Sequence, residues 1–373
     1  MKRDLAIDAA RGLAIWSMVT AHFALGSRIA EPTHSFPYVD GMSAFVLLSG
    51  VVLGLVHHRW IERHSLGYSY WRLTKRLAVL YLCQLSIALV AVAAAFAGHR
   101  WLTLLRPVRD WPDGIWRSIT MSYLPSGGNI LLLYLVLMAS AYALFPILRA
   151  GRWRLVIGAS VGLYLVSQVC PPDWFYLTAD MTAPRIQNWA AWQILFIPAL
   201  VVGWNWDRWR IAERIDAYLP WLVLAALGVG VGFHLVIDTG PLAASEPWFA
   251  DKLDFRPARA IGAWVAIPAV YGVLRFVLAR IDDAWLRPLL MTGARSIDSY
   301  VIQAIALVIV PIHLVHRPWS EADMIIAVAM VFGTCWVWAE FREAFGIDKL
   351  HRLPILVADA MTRRRSPSAA STA

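Results

Sequence analysis

Long apolar runs fill the chain and are broken by short polar stretches rich in arginine. A helix needs about 20 mostly apolar residues to cross the hydrocarbon core of a bilayer. Ten such segments can be drawn: 8–27, 39–57, 77–98, 128–148, 153–170, 189–206, 217–237, 259–279, 295–314 and 322–340. The pattern predicts an all-α, polytopic integral membrane protein with about ten transmembrane helices. It places a single membrane domain at 1–345 and a cytoplasmic tail at 346–373. The tail ends in Arg363-Arg364-Arg365 followed by Ser, Pro and Ala, a composition that predicts disorder and contact with anionic lipid. No internal repeat is visible.

Composition strengthens this picture. The chain is 59% hydrophobic and 16% charged, against about 25% charged in soluble domains. Its 20 Trp residues suit membrane interfaces. The net charge of +9 does not point to nucleic acid, because the basic residues sit in short loops between apolar runs. Most of the 34 Lys and Arg fall on one side if the N-terminus is cytoplasmic: Lys2, Arg3 and Arg11, the stretches 59–76, 149–154, 208–214 and 275–295, and the tail. That bias predicts both termini inside. Cys83, Cys170 and Cys335 lie in apolar runs without metal or disulfide spacing and are expected to be packing residues. The loop 99–127, with Trp101, Arg106, Pro107, Trp111 and Trp116, is expected to lie in the headgroup region as short amphipathic pieces.

The first segment, IDAARGLAIWSMVTAHFALG, carries three ionisable groups, each costing roughly 3 kcal/mol in a membrane on insertion scales. Those groups also set it apart from a cleaved signal. Asp8 and Arg11 can pair across three positions. Arg11 and His22 stand eleven positions apart, almost three full turns, so both project from nearly one stripe, about 16 Å apart along the axis. Imidazole is the side chain best suited to take a proton near neutral pH.

The opening RDLAIDAARGLAIWSMVTAH resembles the membrane acyltransferase-3 superfamily, whose first span has an Arg and a His at this spacing. PTHSFPYVDGMSAFVLLSGVVLGL resembles its OpgC branch, and NILLLYLVLMASAYALFP, NWAAWQILFIPALVVGW and GARSIDSYVIQ are similar to later spans of that branch. OpgC-type proteins transfer succinyl groups to periplasmic glucans, and the wider superfamily moves acyl groups from acyl-CoA to envelope sugars. The resemblance therefore implies an acyl-CoA-dependent O-acyltransferase of the bacterial cytoplasmic membrane. It implies no bound cofactor, acyl-CoA as cosubstrate, and an envelope glycolipid or polysaccharide as acceptor. Two positions depart from the pattern. Arg72 and Lys75 stand where relatives have Arg-x-x-Arg, and Gln303 stands where many have a His.

On this reading His22, Arg11 and Asp8 are the catalytic set. Arg11, Arg72, Lys75 and Arg76 meet the acyl-CoA phosphates, and His34, Asp40, Gln193 and Asp298 contact the acceptor. Asp40 can also cap a helix, and the basic trio can be plain positive-inside charge. Asp298 is expected to pair with Arg295 or face the cavity, and Gln193 to seek a partner across helices. Ser49-Gly50 is expected to serve close packing, since no nucleophile elbow surrounds it. His57 and His58 are expected at a solvated interface, and no His spacing forms a metal site. The competing readings are a transporter or flippase of envelope lipids or sugars, and a non-catalytic assembly partner.

Overall fold

The structure, a computed structural model, describes residues 4–99, 108–125, 129–178, 185–314 and 319–347. Among them are the helices α1 (Leu5–Phe23), α2 (Glu31–His34), α3 (Gly41–Arg63), α4 (Leu66–Ala94) and α5 (Trp111–Ile119). They are followed by α6 (Asn129–Ala139), α7 (Ala141–Arg149), α8 (Trp153–Val169), α9 (Trp189–Trp204) and α10 (Ile211–Phe233). The last are α11 (Glu246–Ala250), α12 (Pro257–Leu278), α13 (Arg287–Ala294), α14 (Ser296–Leu314) and α15 (Glu321–Ala344). Between α8 and α9 lies an antiparallel pair, β1 (Tyr176–Thr178) and β2 (Arg185–Asn188), with Tyr176 opposite Asn188 and Leu177 opposite Gln187.

Helix lies within each of the ten predicted segments, but ten spans are not met by length and apolarity. Six of the described helices are long and apolar enough to cross a membrane: Gly41–Arg63, Leu66–His99, Asn129–Arg149, Ile211–Asp238, Pro257–Leu278 and Glu321–Ala344. A seventh counts if α13 and α14, bent by 79°, form one broken span. The physical reasons differ among the remaining segments. α8 has 17 residues and α9 has 16, which at about 1.5 Å per residue fall short of a core of about 30 Å. α1 has 19 residues and carries Asp8 and Arg11 in its first half.

α1 is packed by α3, α12, α13, α14 and α15, and most of its side chains are buried, Asp8 and Arg11 among them. α10, in contrast, turns Trp221, Leu224, Leu227 and Val231 outward, as a helix facing lipid does. α5 supplies the expected amphipathic piece: Trp111, Ile115 and Ile119 recur every four residues and stay exposed, while Gly114 and Ser118 face inward. Trp101, Arg106 and Pro107 lie outside the described residues, as does the tail from 348. Cys170, expected as a packing residue, is exposed at the end of α8.

Backbone contact sets two of the crossings. A Cβ on Gly203 of α9 would stand 2.0 Å from the carbonyl oxygen of Val51 in α3, and one on Gly293 of α13 would stand 1.8 Å from that of Asp8 in α1. Small residues let membrane helices approach this closely, where dispersion and close packing replace the hydrophobic drive. Gly50 likewise faces the Phe196 carbonyl, in keeping with a packing role for Ser49-Gly50.

Gly203→Ala is expected to destabilise the protein by about 1–3 kcal/mol, read as a lower thermal midpoint in detergent. Gly228→Ala on α10, where an added Cβ meets nothing within 4 Å, should leave the midpoint unchanged or raised. Equal behaviour of the two variants would remove the close α3–α9 approach as a constraint.

Candidate functional site

Two cavities open at opposite ends of α1. The first, of about 660 Å³, lies beside Arg11. Its lining among the described residues contains six cationic side chains (Arg11, Arg72, Lys75, Arg76, Arg295 and Arg342) and one carboxylate, Asp298. The second, of about 450 Å³, lies beside His22 and carries Ser17, Asp40, Asn129, Gln187, Asp251 and Lys252. A third cavity, of about 580 Å³, adjoins the other flank of Arg11 and holds Asp4, Asp8, Arg59 and Arg275.

Local structure explains how the Arg11 cavity is assembled. The helix breaks between α13 and α14, and Ser296, the first residue of α14, accepts a hydrogen bond from Arg11 Nη2. Arg72, Lys75 and Arg76 fall on one stretch of α4, three and four positions apart, so one helix face brings them together. Arg72 stacks over the Trp60 ring at 4.7 Å and Lys75 over Trp71 at 3.7 Å. Asp298 is held by Arg342 and by Trp338 Nε1 at 3.3 Å, both from α15.

The His22 cavity is roofed by loops. Asp254 accepts from Tyr176 Oη at 2.8 Å and Asn188 Nδ2 at 3.2 Å, tying the loop before α12 to the strand pair. Asp251 Oδ2 accepts from Asp254 N at 2.8 Å, and Arg259 donates to the carbonyls of Ala250 and Tyr38. The turn so fixed carries Lys252 to Asp40, with Nζ 2.6 Å from Oδ2. The other carboxylate oxygen of Asp40 accepts from Ser43 N at 2.9 Å and Ser43 Oγ at 2.8 Å, capping α3. Burial alone would push the Asp40 carboxyl up. Lys252 and the Ser43 hydrogen bonds outweigh it and hold the carboxyl down at about 2. The His22 ring has accessible surface at this cavity, and among the described residues no hydrogen bond occupies its nitrogens.

The predicted residues therefore separate into groups. Arg11, Arg72, Lys75 and Arg76 share one cavity, His22 and Asp40 share the other, and Asp8 joins Arg11 at the third. Three of the residues expected at the acceptor stand away from the His22 cavity. Gln193 lines none of these cavities. Its amide accepts from Ser160 Oγ at 2.6 Å and donates to Ser160 O at 2.8 Å, so it fastens α9 to α8. Asp298 stands in the basic cavity, not beside His22, because α14 starts at the Arg11 end. His34 spends Nδ1 on the Ala30 carbonyl at 2.9 Å and Thr33 at 3.1 Å inside the short α2, away from the His22 cavity lining.

Sequence reasoning passed over three residues. His57 is buried at the basic cavity and is not at a solvated interface. Lys252 and Gln187 line the His22 cavity from loops and strands whose folding only long-range pairing decides. Gln187 Oε1, with Ser17 Oγ, Ser49 Oγ and Gln303 Oε1, is a buried acceptor without a partner among the described residues. Ser17 lines the His22 cavity, Ser49 lines the Arg11 cavity, and Gln303 Nε2 lies 3.8 Å from the sulfur of Met18. Each such group costs about 1–3 kcal/mol, so a polar ligand reaching along α1 would relieve them. Among the described residues no cluster of His, Cys, Asp and Glu could hold a metal ion.

The Asp40–Lys252 pair predicts a pH signature. A carboxyl held at about 2, against an ordinary 3.8, contributes stability that is full above 3.8 and lost as pH falls through 2. Asp40→Asn keeps the cap and removes the charge. It should lower stability by about 1–2 kcal/mol at pH 7 and at pH 5, less than the full shift implies because Lys252 is half-exposed. The difference from wild type should shrink below pH 4. A difference that grows on acidification contradicts this account.

A search of curated proteins and a search of solved structures each returned no match. A family model described as OpgC protein matches residues 3–346, the whole of the described helical body. The chain thus belongs to the OpgC protein family, a family of transferase-type membrane enzymes.

Proposed function

We propose that this protein is an O-acyltransferase of the bacterial cytoplasmic membrane. It moves a short acyl group, acetyl or succinyl, from cytoplasmic acyl-CoA to a sugar hydroxyl of an envelope glycolipid or polysaccharide. The observation that carries the reading is the pairing of unlike cavities at the two ends of α1. The basic one suits a polyphosphate, since Arg and Lys bind phosphate by charge-assisted hydrogen bonds. The other mixes carboxylates, an ammonium, amides and an imidazole, which suits a neutral polyol. Family membership supports transfer to envelope glycans.

In this reading α1, α8 and α9 also cross, beside the six long spans and the broken α13–α14 pair. That gives ten crossings with both termini inside. The Arg11 cavity faces the cytoplasm. The donor's phosphates sit on Arg72, Lys75 and Arg76, and its thioester arm extends past Ser49 and Ser17 toward His22. The ring of His22 takes the proton of the acceptor hydroxyl as that oxygen attacks the thioester carbonyl. The new C–O ester bond forms, the C–S bond breaks, and the proton passes to the departing thiolate. Asp40 sets the position of Lys252 at the acceptor, and Gln187 Oε1 accepts from a sugar hydroxyl. Asp8 and Arg11 hold the cytoplasmic end of α1, with Arg11 turned to the donor. Asp298 restrains Arg342 in the donor cavity.

The test uses membranes containing the protein, a panel of radiolabelled acyl-CoAs and native envelope acceptors. Wild type should label the glycolipid or polysaccharide fraction with one donor. His22→Ala should lose roughly 10²-fold or more of that rate. Arg72→Met combined with Lys75→Met should raise the donor KM more than it lowers kcat. Labelling unchanged by His22→Ala would remove the imidazole from the chemistry. No labelling with any donor, alongside movement of an envelope lipid across the membrane, would favour the flippase reading.

A further inference from the structure

His57 is a buried imidazole that the transfer chemistry above leaves unused. One wall of its pocket is aromatic: the ring stacks on Phe145 at 4.8 Å and meets Trp60 edge-on at 4.8 Å. Trp60 in turn lies against the Arg72 guanidinium at 4.7 Å, so His57, Trp60 and Arg72 form one continuous surface of the basic cavity. Behind the ring, Nδ1 lies 2.6 Å from Ser69 Oγ, and Ser69 is fully buried.

This contact selects a tautomer. Among the described residues the Ser69 hydroxyl has His57 Nδ1 as its one hydrogen-bond partner. If Nδ1 carried the ring proton, Ser69 Oγ would accept and its own hydrogen would be stranded without an acceptor in the interior. If Nδ1 accepts from the hydroxyl, every group at the contact is satisfied. The ring proton then resides on Nε2, the nitrogen left to the cavity side, in a cavity lined by six cations and one carboxylate. A neutral N–H donor beside Arg72 and Arg76 adds a directed hydrogen bond where the guanidinium groups add charge.

We infer that His57 is an anion-binding residue of the Arg11 cavity, donating Nε2–H to a phosphate oxygen, with Ser69 as the positioning residue that fixes its tautomer. The inference rests on the donor reading for the identity of its ligand, a phosphate of acyl-CoA, and on the cavity's own geometry for the site itself.

Calorimetric titration of the full-length protein in nanodiscs tests it, with inorganic pyrophosphate and CoA as separate probes. His57→Leu should weaken pyrophosphate binding roughly tenfold, the effect of one lost hydrogen bond to a charged group. His57→Gln, which keeps an N–H donor, should stay within about threefold of wild type. Ser69→Ala should fall between them and Ser69→Thr should recover wild-type affinity. In ¹⁵N spectra of histidine-labelled protein, Ser69→Ala should move the His57 resonances toward a mixture of tautomers, a change that loosened packing alone would not produce. Wild type that binds no pyrophosphate, His57→Leu that binds it unchanged, or His57→Gln as weak as His57→Leu would each overturn the assignment. The expected pyrophosphate pattern without CoA binding would keep the anion site and discard the acyl-CoA donor. Tight CoA binding with pyrophosphate indifferent to His57 would do the reverse.

Discussion

Charge buried in α1, a helix enclosed by its neighbours, is the constraint on which this architecture turns. Asp8 and Arg11 are almost fully enclosed in α1, and groups of that kind are retained only where protein or an aqueous cavity satisfies them. α1 therefore cannot face lipid. The helices α3, α12, α13, α14 and α15 pack against it, and the break between α13 and α14 presents Ser296 to the Arg11 guanidinium. The backbone contact of Gly293 with α1 lets α13 come close enough for this.

The same helix gives the site its polarity. About 16 Å of α1 separates Arg11 from His22, and the two cavities take opposite characters from what α1 meets at each end. At the Arg11 end it shares a cavity with α4, the α13–α14 break and α15, which bring Arg72, Lys75, Arg76, Arg295 and Arg342. At the His22 end it meets loops held by Asp254 and Arg259, which supply carboxylates, amides and one lysine. The two ends of one helix thus open on a strongly basic cavity and on a mixed polar one.

Most of this frame is legible in the chain itself, because apolar runs and helical periodicity are local. The stripe joining Arg11 to His22 and the grouping of Arg72, Lys75 and Arg76 follow from spacing on single helices. Contacts between distant segments were not legible. Gln193 looks like a cavity residue until Ser160 is seen to satisfy it. Asp298 sits at the Arg11 end of the bundle, away from the His22 cavity, because α14 begins beside Arg11. His57, one residue from the polar run His58-Arg59, reads as interfacial, yet α4 crosses over it and brings Ser69 to its ring. Lys252 depends on a turn pinned by residues 60 or more positions away, Tyr176 and Asn188. Segment length was legible here: α8 and α9 fill nearly all of 153–170 and 189–206, whereas the strand pair between them could not be read from apolar runs.

The central claim is that donor and acceptor reach His22 from opposite faces of the membrane. Sealed proteoliposomes in which the protein's orientation is fixed test this most directly. Labelled acyl-CoA is supplied only at the face where α4 exposes Arg72 and Lys75, and an acceptor glycan is trapped only at the other. The account predicts that label appears in the trapped acceptor while the vesicles remain sealed to CoA. Transfer that proceeds only when both substrates share one face would contradict it.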